Sequence, residues 1–579
     1  MIVQSIRFTR SPLLSQRLPA WRQRLLLWLF LSAFAALLVR SVYLQGFHNV
    51  FLGEKGRARY ERVIDISATR GRITDRHGDV LAVSTPVKSL WAIPEDVSLT
   101  PAQSRDFAKL IDIDLREMNH KLASERDFVY IKRQIPPDLA EQVAAHKYDG
   151  IHLQDEYRRY YPSGDVTAHM LGFTGTGDAG QEGIELAFNN QLAGRSGSRR
   201  VIKDRRGSIV EDVESIRPPV EGKDIALALD GKIQYLAYRY LQQAITENHA
   251  KAGGIVVVDT LTGEILALAN LPTYNPNNRQ HLVGAQLRNR AVTDTFEPGS
   301  TMKPFTIALA LQEGKVRPET TIQTAPGKMT IGTATISDAH VHGLLSVAQV
   351  IQKSSNIGTA KIAAQMSAPD MWAMFDSLGF GSPTKLGFPG EVGGRLRPAK
   401  TWKPIEQATM SYGHGISVTL MQMARAYQVF ARDGDIVPLS LLRLDVPPAT
   451  GVSVFSPKTA HEVRAMLELA VQSGGTAPQA QISGYRVAGK TGTAHKVEGG
   501  VYANKYVSSF VGFAPASAPR LIVAVMIDEP TGGKHFGGDV AAPVFASVMA
   551  GALRSLGVAP DAPLAPLQIA NAEVVKEGI

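Results

Sequence analysis

The feature that most constrains this chain is an apolar run from Leu25 to Gln45, close to its start. Its length matches the roughly 20 residues that an α-helix needs to cross a bilayer. Five arginines precede the run, and residues 1–53 contain no acidic residue. Because positive flanks stay in the cytoplasm, we predict a basic cytoplasmic tail at 1–24, a transmembrane helix at 25–45 and an external remainder. A cleaved signal peptide is the alternative, but the run is long and no small-x-small cleavage site follows it.

The composition excludes several classes of function. The chain of 579 residues has no cysteine, which removes disulfides, thiol catalysis and cysteine-based metal sites. Much of the net charge of +9 lies in the first few dozen residues, and the basic-aromatic pattern of nucleic-acid modules is missing. The sequence has neither a P-loop nor a dinucleotide fingerprint. The histidines His152, His169, His340 and His342 do not have the spacing of ligands in known metal sites. We therefore predict no cofactor, no metal and no nucleic-acid partner.

Strand and helix patterns divide the external part near Pro218-Pro219. Residues 46–219 contain short strands and helices around a His77-Gly78 turn, and periodicity alone predicts that their charges form a solvated surface. Residues 220–561 have strands near both ends and helices in the middle, which predicts an α+β unit with one antiparallel sheet, flanking helices and a helical subdomain. Residues 562–579 are predicted to be a tail. The individual predictions are strands at 60–66, 224–229, 255–259, 264–269, 506–513 and 521–527, and helices at 104–111, 137–146, 231–248 and 542–556.

A candidate nucleophile follows the helix-breaking pair Pro298-Gly299. Ser300 comes next, and helix-forming residues continue from Thr306 to Glu313. We therefore expect Ser300 at or near the first turn of a helix. Lys303 lies three residues further on, so the two side chains share a face of that helix and can touch.

A serine-lysine pair at this spacing has a chemical rationale. A serine hydroxyl is a weak nucleophile until a base takes its proton, and a lysine can be that base only when it is neutral. Lowering a lysine pKa from about 10.4 to about 7 costs roughly 4 kcal/mol, which a buried, closed site can supply. The helix N-terminus adds positive potential where an oxyanion would form. A second Ser-x-x-Lys, Ser382 to Lys385, lies in a Gly/Pro-rich stretch with no helix after it, so we predict a loop there.

Two further motifs follow in order, Ser354-Ser355-Asn356 and Lys490-Thr491-Gly492-Thr493. The order Ser-x-x-Lys, Ser-x-Asn, Lys-Thr-Gly resembles the signature of penicillin-binding proteins and class A β-lactamases. Other stretches make the chain most similar to class B penicillin-binding proteins of the division-specific, septal type. In the second half of the chain these stretches are Leu287–Lys303, Met410–Gly415 and Gly532–Gly538. Arg70–Gly78 and Tyr160–Pro162 resemble motifs of that family's pedestal domain. His414 is a departure, because the resemblance implies an aromatic residue at its position.

The resemblance implies a serine D,D-transpeptidase that cross-links peptidoglycan stem pentapeptides through an acyl-enzyme. Ser300 would attack the penultimate D-alanine, and Lys303 would take its proton. Ser354 would relay protons to the leaving amine, Asn356 would hold the donor's amide, and Lys490 would help to keep Lys303 neutral. Thr491 and Thr493 would bind the substrate's C-terminal carboxylate, and Gly492 would let the strand edge approach the ligand closely. The N–H groups of Ser300 and Thr493 would form the oxyanion hole.

The resemblance also implies an architecture and a location. Residues 46–219 would be an elongated pedestal (class B dimerisation-like) domain, and residues 220–561 the transpeptidase domain. The protein would be a single-pass protein of the inner (cytoplasmic) membrane, with a periplasmic catalytic domain at the septum. Its implied ligands are β-lactams, and its implied partners are a membrane-embedded glycan polymerase and other division proteins.

Several alternatives stay open at this point. They are an elongation-specific transpeptidase, a catalytically silent penicillin sensor or scaffold, and a β-lactamase. The sequence has no evident deacylating glutamate, which favours a stable penicillin adduct over hydrolysis. The pedestal leaves no room for a glycosyltransferase domain, so we predict a monofunctional enzyme.

Overall fold

The computed structural model describes residues 19–47, 61–66, 68–124, 126, 128–203, 209–448 and 450–563. Residues 1–18 of the predicted basic tail lie outside the described residues, as do residues 564–579 of the predicted C-terminal tail. The described residues of 1–67 and 196–220 form one compact unit, and those of 68–195 and 221–579 form another. The domain boundaries expected from the sequence stay predictions.

Both units contain strands and helices. The strands are β1 (Glu61–Ile66), β2 (Ile73–Thr74), β3 (Val80–Ala92), β4 (Val129–Ile135), β5 (Ile151–Tyr160), β6 (Gly197–Lys203), β7 (Ile209–Arg217), β8 (Ile225–Ala226), β9 (Ala252–Asp259), β10 (Ile265–Leu271), β11 (Thr321–Gln323), β12 (Lys328–Ile331), β13 (Ala334–Ser337), β14 (Leu344–Ser346), β15 (Asp435–Ile436), β16 (Val452–Ser453), β17 (Ala488–Glu498), β18 (Val501–Ala514) and β19 (Leu521–Asp528).

The α-helices are α1 (Ala20–Val42), α2 (Pro101–Leu110), α3 (Leu115–Leu122), α4 (Pro137–His146), α5 (Ala168–Leu171), α6 (Gly183–Ala187), α7 (Asn189–Leu192), α8 (Gly231–Glu247), α9 (Gly284–Leu287), α10 (Arg290–Thr293), α11 (Lys303–Gln312), α12 (Val347–Lys353), α13 (Asn356–Ala363), α14 (Ala368–Ser377), α15 (Pro404–Met410), α16 (Leu420–Ala426), α17 (Gln428–Ala431), α18 (Pro457–Val471), α19 (Gly537–Val540) and α20 (Ala542–Ser555).

The first unit contains the apolar helix and a small sheet. Helix α1 begins five residues before the predicted Leu25 and continues into a π-helical turn, Tyr43–Phe47. Among the described residues, Ala20–Gly46 is the one segment long and apolar enough to cross a membrane. Strands β1, β6 and β7 form an antiparallel sheet in that order, which confirms the strand predicted near residues 60–66, although Tyr60 itself lies outside the described residues.

The second unit begins with a mixed sheet in the order β4-β3-β2-β8, with β5 paired to β3. The predicted helix at 137–146 is confirmed as α4, and the His77-Gly78 turn joins β2 to β3. The strand predicted at 224–229 is shorter, because β8 pairs with only the two residues of β2 before Leu227 bridges to Leu442 instead.

The prediction of a solvated charged surface in this region is wrong for three side chains. Arg70, Arg159 and Glu185 are all buried, and the Glu185 carboxylate pairs with Arg70 Nε at 2.6 Å and with Arg159 Nε at 2.7 Å. These residues are far apart in the sequence, so no local period marks them as interior. Burial is tolerated because each charge meets a partner of opposite sign.

A five-stranded antiparallel sheet organises the rest of the second unit, in the order β10-β9-β19-β18-β17. Strands from the early and the late part of the unit share this sheet, as predicted, and β9 is buried over its whole length. Ile255 and Val257 pack with α8 and α20 on one face of the sheet, whereas Val256 and Val258 join a second core on the other face. Alternate side chains of one strand therefore hold two helical layers to a single sheet.

Helix α11 lies in the second of these cores, and every residue from Lys303 to Ala310 is buried. The Phe305 ring packs edge-on against Tyr427 and within 5.1 Å of Phe430. A helix that is apolar around most of its circumference needs other elements on several sides, and the helices of residues 347–431 supply them. This packing fixes the start of α11 relative to the sheet.

Candidate active site

The predicted nucleophile lies on a 3₁₀ turn, Gly299–Met302, that leads directly into α11. Ser300 is therefore at the start of a helix, as the sequence predicted, and only 3% of its surface is exposed. Gly299 has φ of +54° and donates its N–H to Gly413 O at 3.2 Å. A Cβ atom at Gly413 would lie 2.2 Å from Gly299 O, so only glycine allows this contact. The backbone around the serine is thus fixed from a segment more than a hundred residues away.

Lys303 connects this turn to the Ser-x-Asn motif. Its side chain is fully buried, and Nζ donates to Ser354 O at 2.5 Å and to Ser354 Oγ at 3.0 Å. Ser354 stands between α12 and α13 with φ of +59°, a left-handed conformation that is uncommon for a residue with a side chain. The fold therefore brings the first two motifs into direct hydrogen-bond contact.

Residues that the sequence analysis did not single out fix the Ser-x-Asn segment. Ser355 caps α13 by accepting a hydrogen bond from Gly358 N at 2.9 Å, and its hydroxyl donates to Asp338 Oδ2 at 2.6 Å. Asn356 Nδ2 donates to Ser337 O at 3.0 Å. A serine before a helical run is a recognisable N-cap signal, but nothing local marks Asp338 as its partner.

The Lys-Thr-Gly motif lies on β17, at the edge of the sheet. The Lys490 side chain is fully buried, and Nζ lies 3.1 Å from Thr491 Oγ1, which in turn lies 2.9 Å from Thr476 Oγ1. Thr493 Oγ1 accepts a hydrogen bond from Gly537 N at 3.0 Å. The third motif is therefore embedded in a network of hydroxyl groups.

Gly492 shows how closely β17 approaches the nucleophile turn. A Cβ atom there would lie 2.5 Å from Ser509 Oγ and 2.7 Å from Pro298 O. Pro298 is two residues before Ser300, so the strand edge and the serine turn are in van der Waals contact. Any larger side chain at this position would push the two apart.

A partly buried carboxylate next to the turn was also missed by the sequence analysis. Glu297 accepts hydrogen bonds from Gly415 N at 2.8 Å and from Tyr502 OH at 3.1 Å. Burial raises the pKa of the Glu297 carboxyl above its ordinary value, while these two hydrogen bonds act in the opposite direction. Glu297 thus ties the nucleophile turn to the β17-β18 hairpin and to the segment around Gly415.

His414 stands beside this carboxylate. Its ring lies 5.4 Å from the Tyr412 ring and 6.1 Å from the Tyr502 ring, and Nδ1 is 4.0 Å from Glu297 Oε2. Burial lowers the pKa of His414 to about 4, and the positive charges of Lys303 and His495 act in the same direction. The imidazole is therefore neutral at pH 7 and fills the place of the aromatic residue that the resemblance implies.

The other candidates from the sequence have different surroundings. Ser382 and Lys385 lie in an irregular segment, as predicted. His169 is bonded through Nε2 to Gln286 O, and the ring centres of His340 and His342 are 6.5 Å apart. Within the described ranges, no three side chains of the metal-binding types form a cluster that could hold an ion.

Together the three motifs form one buried site with a defined chemical capacity. A hydroxyl on a helix start, a lysine amine bonded to a second hydroxyl, and a second lysine on a strand edge are the parts needed to activate a serine and to move its proton. Backbone N–H groups at a helix start and on an edge strand are suitable donors to a developing oxyanion.

Comparisons with known proteins agree with this geometry. The penicillin-binding protein dimerisation domain matches residues 65–227, and the penicillin-binding protein transpeptidase domain matches residues 253–550. The probable peptidoglycan D,D-transpeptidase PenA of Neisseria gonorrhoeae is 45% identical over 537 residues, 92% of each chain. The peptidoglycan D,D-transpeptidase FtsI of Escherichia coli K12 is 41% identical over 551 residues, 94% of this chain and 93% of the relative.

A solved structure, the apo transpeptidase domain of penicillin-binding protein 3 from Burkholderia pseudomallei, matches with a TM-score of 0.54 and 50% identity. It covers 58% of this chain and 98% of that domain. The chain belongs to the class B penicillin-binding proteins, in which a dimerisation domain precedes a transpeptidase domain.

Proposed function

We propose that the chain is a serine D,D-transpeptidase that cross-links peptidoglycan stem peptides. The observation that carries this proposal is the buried contact from Lys303 Nζ to Ser354 Oγ, 3.0 Å, beside the turn that bears Ser300. The names of the relatives, which are peptidoglycan D,D-transpeptidases, support the same reaction.

The proposed reaction has two steps. Ser300 Oγ attacks the carbonyl carbon of the penultimate D-alanine while Lys303 accepts the hydroxyl proton. The tetrahedral intermediate collapses, its C–N bond breaks, and the terminal D-alanine leaves with a proton relayed through Ser354. An amine of a neighbouring stem peptide then attacks the acyl ester and loses a proton. That proton returns to Ser300 Oγ as the ester C–O bond breaks, and the cross-linking amide forms.

The remaining motif residues bind and polarise the substrate in this proposal. Asn356 holds the donor peptide's amide, and Thr491 and Thr493 bind its terminal carboxylate. The N–H groups of Ser300 and Thr493 stabilise the oxyanion. Lys490 adds positive charge that favours a neutral Lys303. The close packing of Gly492 on Pro298 O supports a strand edge held at a fixed distance from the serine.

β-Lactams resemble the D-alanyl-D-alanine end of the stem peptide and would acylate the same serine. The decisive experiment is intact mass measurement of the full-length chain in detergent after incubation with benzylpenicillin. We expect one stable adduct on the wild type and none on Ser300→Ala. Ser382→Ala is the matched control, because it removes the serine of the other Ser-x-x-Lys, and it should be labelled like the wild type.

Other outcomes of that measurement would select the alternatives. Lack of an adduct on folded wild-type protein would favour a scaffold, and labelling unchanged by Lys303→Ala would favour a penicillin sensor. Rapid loss of the adduct with product release would favour a β-lactamase.

We also propose a septal role and a single-pass topology with the N-terminus in the cytoplasm and the catalytic part in the periplasm. The basic residues before α1 and its apolar length support the topology. The septal-type stretch Leu287–Lys303 supports a role in division with a membrane-embedded glycan polymerase as partner. A fluorescent fusion at midcell is expected, whereas a fusion along the lateral wall would favour the elongation-specific alternative.

A further inference from the structure

A small polar cavity of about 100 Å³ lies at the end of β5, away from the serine site. Its wall combines that strand end, the segment Thr174–Thr176 and the loop Pro276–Arg279 that follows β10. At about 30 Å³ per water, the cavity has room for a few water molecules, and it is far below the 300–1,000 Å³ of sites for drug-sized ligands. Its size therefore suits a small ion.

Three arginines line this cavity: Arg158, Arg159 and Arg279. Among the described residues that form the wall, none is a carboxylate. Arg158 Nη2 donates to Asn277 O at 3.2 Å, and Arg279 Nη1 donates to Thr174 O at 2.8 Å. Both acceptors are neutral carbonyls, and neither arginine has an ion-pair partner within the part of the chain that the structure describes.

Arg159 contributes a buried donor with no acceptor. Its side chain is 1% exposed, and its Nε is used by Glu185. Nη1 lies 3.2 Å from Ser84 Oγ, but the buried Nη2 has no hydrogen-bond partner among the described residues. A charged donor that is buried without an acceptor destabilises the folded chain.

The charge balance around the cavity is positive. Glu185 is shared between Arg159 and Arg70, so one carboxylate serves two guanidinium groups. Asp178, whose carboxylate is hydrogen-bonded to the side chain of the wall residue Thr174, also acts on these two arginines. Arg158 and Arg279 add two more positive charges that have no ion-pair partner among the described residues, so the cavity wall carries an excess of positive charge.

A larger cavity in the same unit shows the opposite arrangement. It measures about 850 Å³, and its wall includes four arginines together with Asp433, Asp435 and Glu468. Arg432, Arg486 and Arg520 pair with carboxylates at 2.8 Å, 2.9 Å and 3.1 Å respectively, and Arg464 donates to the carbonyls of Phe430 and Arg432. Arginines in a cavity wall therefore do not by themselves indicate an anion site. At the small cavity, the indication is that no carboxylate lies among the described residues of the wall.

We propose that the small cavity is a binding site for a tetrahedral oxyanion of the phosphate class, held by Arg158, Arg159 and Arg279. Guanidinium groups bind phosphate oxygens in planar, paired hydrogen bonds, and three of them can surround one such ion. The ion neutralises the excess positive charge and supplies acceptors for Arg159.

The site also has a structural consequence. Tyr161 N donates to Asn277 Oδ1 at 2.9 Å, and Asn277 Nδ2 donates to Tyr161 O at 2.8 Å. These bonds already connect the end of β5 to the loop after β10. An anion held by Arg158 and Arg279 adds a second connection between the same two segments, so its binding should raise the unfolding temperature.

The test is thermal unfolding of the full-length chain in detergent with increasing inorganic phosphate, against sodium chloride of equal ionic strength. Phosphate should raise the unfolding temperature by more than chloride does, and titration calorimetry should give a saturable site. Arg158→Gln and Arg279→Gln should each weaken phosphate binding by at least tenfold. Arg239→Gln, an exposed arginine on α8, is the matched control and should bind like the wild type.

Arg158 is exposed, so its variant should fold even if Arg279→Gln does not, and it decides the outcome. A phosphate effect no larger than that of chloride, or one unchanged in Arg158→Gln, would overturn the proposal. Comparison with glycerol 1-phosphate identifies the source of the ion. If glycerol 1-phosphate does not bind, the site is assigned to free phosphate. If it binds as tightly as inorganic phosphate, the site is assigned to a phosphate group on a larger molecule. Both results support the site.

Discussion

Replacing His414 by phenylalanine should make the protein more resistant to acid. The pKa of His414 is lowered from 6.5 to about 4 in the folded chain, chiefly by burial; Lys303 and His495 act in the same direction when they are protonated. The unfolded chain therefore binds a proton on this residue between pH 6.5 and pH 4, whereas the folded chain does not. Protonation in that range favours unfolding, so the wild type loses stability as the pH falls.

The size of the effect follows from the two pKa values. The full difference corresponds to about 3 kcal/mol once the pH is below 4, and about 2 kcal/mol of it is present at pH 5. At pH 7 the imidazole is neutral in both states, so the contribution is close to zero. His414→Phe removes this loss, and any change in packing that it causes is the same at both pH values.

The assay is urea unfolding of wild type and His414→Phe at pH 7 and pH 5. The difference in free energy of unfolding between the two proteins should shift by about 2 kcal/mol in favour of the variant from pH 7 to pH 5. His120→Phe, on the exposed face of α3, is the matched control and should show no such shift. An equal difference at the two pH values for His414→Phe would refute the reasoning.

Two further substitutions test the contacts seen in the fold. Gly492→Ala should lower the rate of benzylpenicillin acylation at least tenfold, because its Cβ would lie 2.5 Å from Ser509 Oγ and force β17 away from the serine turn. Gly343→Ala, where the Cβ would meet nothing within 4 Å, should acylate at the wild-type rate; equal rates for both variants would contradict the model of close approach. Glu185→Gln should lower the free energy of unfolding by about 3–5 kcal/mol in urea, because it leaves two buried arginines without their carboxylate. Asp155→Asn, at an exposed pair, should cost less than about 1 kcal/mol, and a similarly small cost for Glu185→Gln would contradict this account.

Predictions from sequence succeeded where a feature depends on neighbouring residues. The sequence predicted that Ser300 starts a helix, and the structure confirms it, because a breaker pair followed by helix formers is a local signal. Residues 137–146 follow the same rule. The sheet was also predictable in outline, since alternation and apolar runs mark strands such as β9 and β19.

The failures concern residues whose partners are distant in the chain. Arg159 lies in a charged run that looks like a surface strand, yet it is buried against Glu185. Glu297 precedes the turn that bears Ser300, but its role depends on Tyr502, more than two hundred residues later. A side chain's environment is set by everything that packs on it, and the sequence around it does not contain that information.

The sequence by itself determined the apolar helix near the start of the chain, the order of the three motifs and the position of Ser300 at the start of a helix, because each depends on residues that are close in the chain. Only the tertiary structure decided that Lys303 meets Ser354, that Gly492 packs on Pro298 and that His414 is largely buried and neutral. These contacts join segments separated by tens to hundreds of residues. They exist because the five-stranded sheet and its two helical layers bring those segments together when they bury their apolar faces.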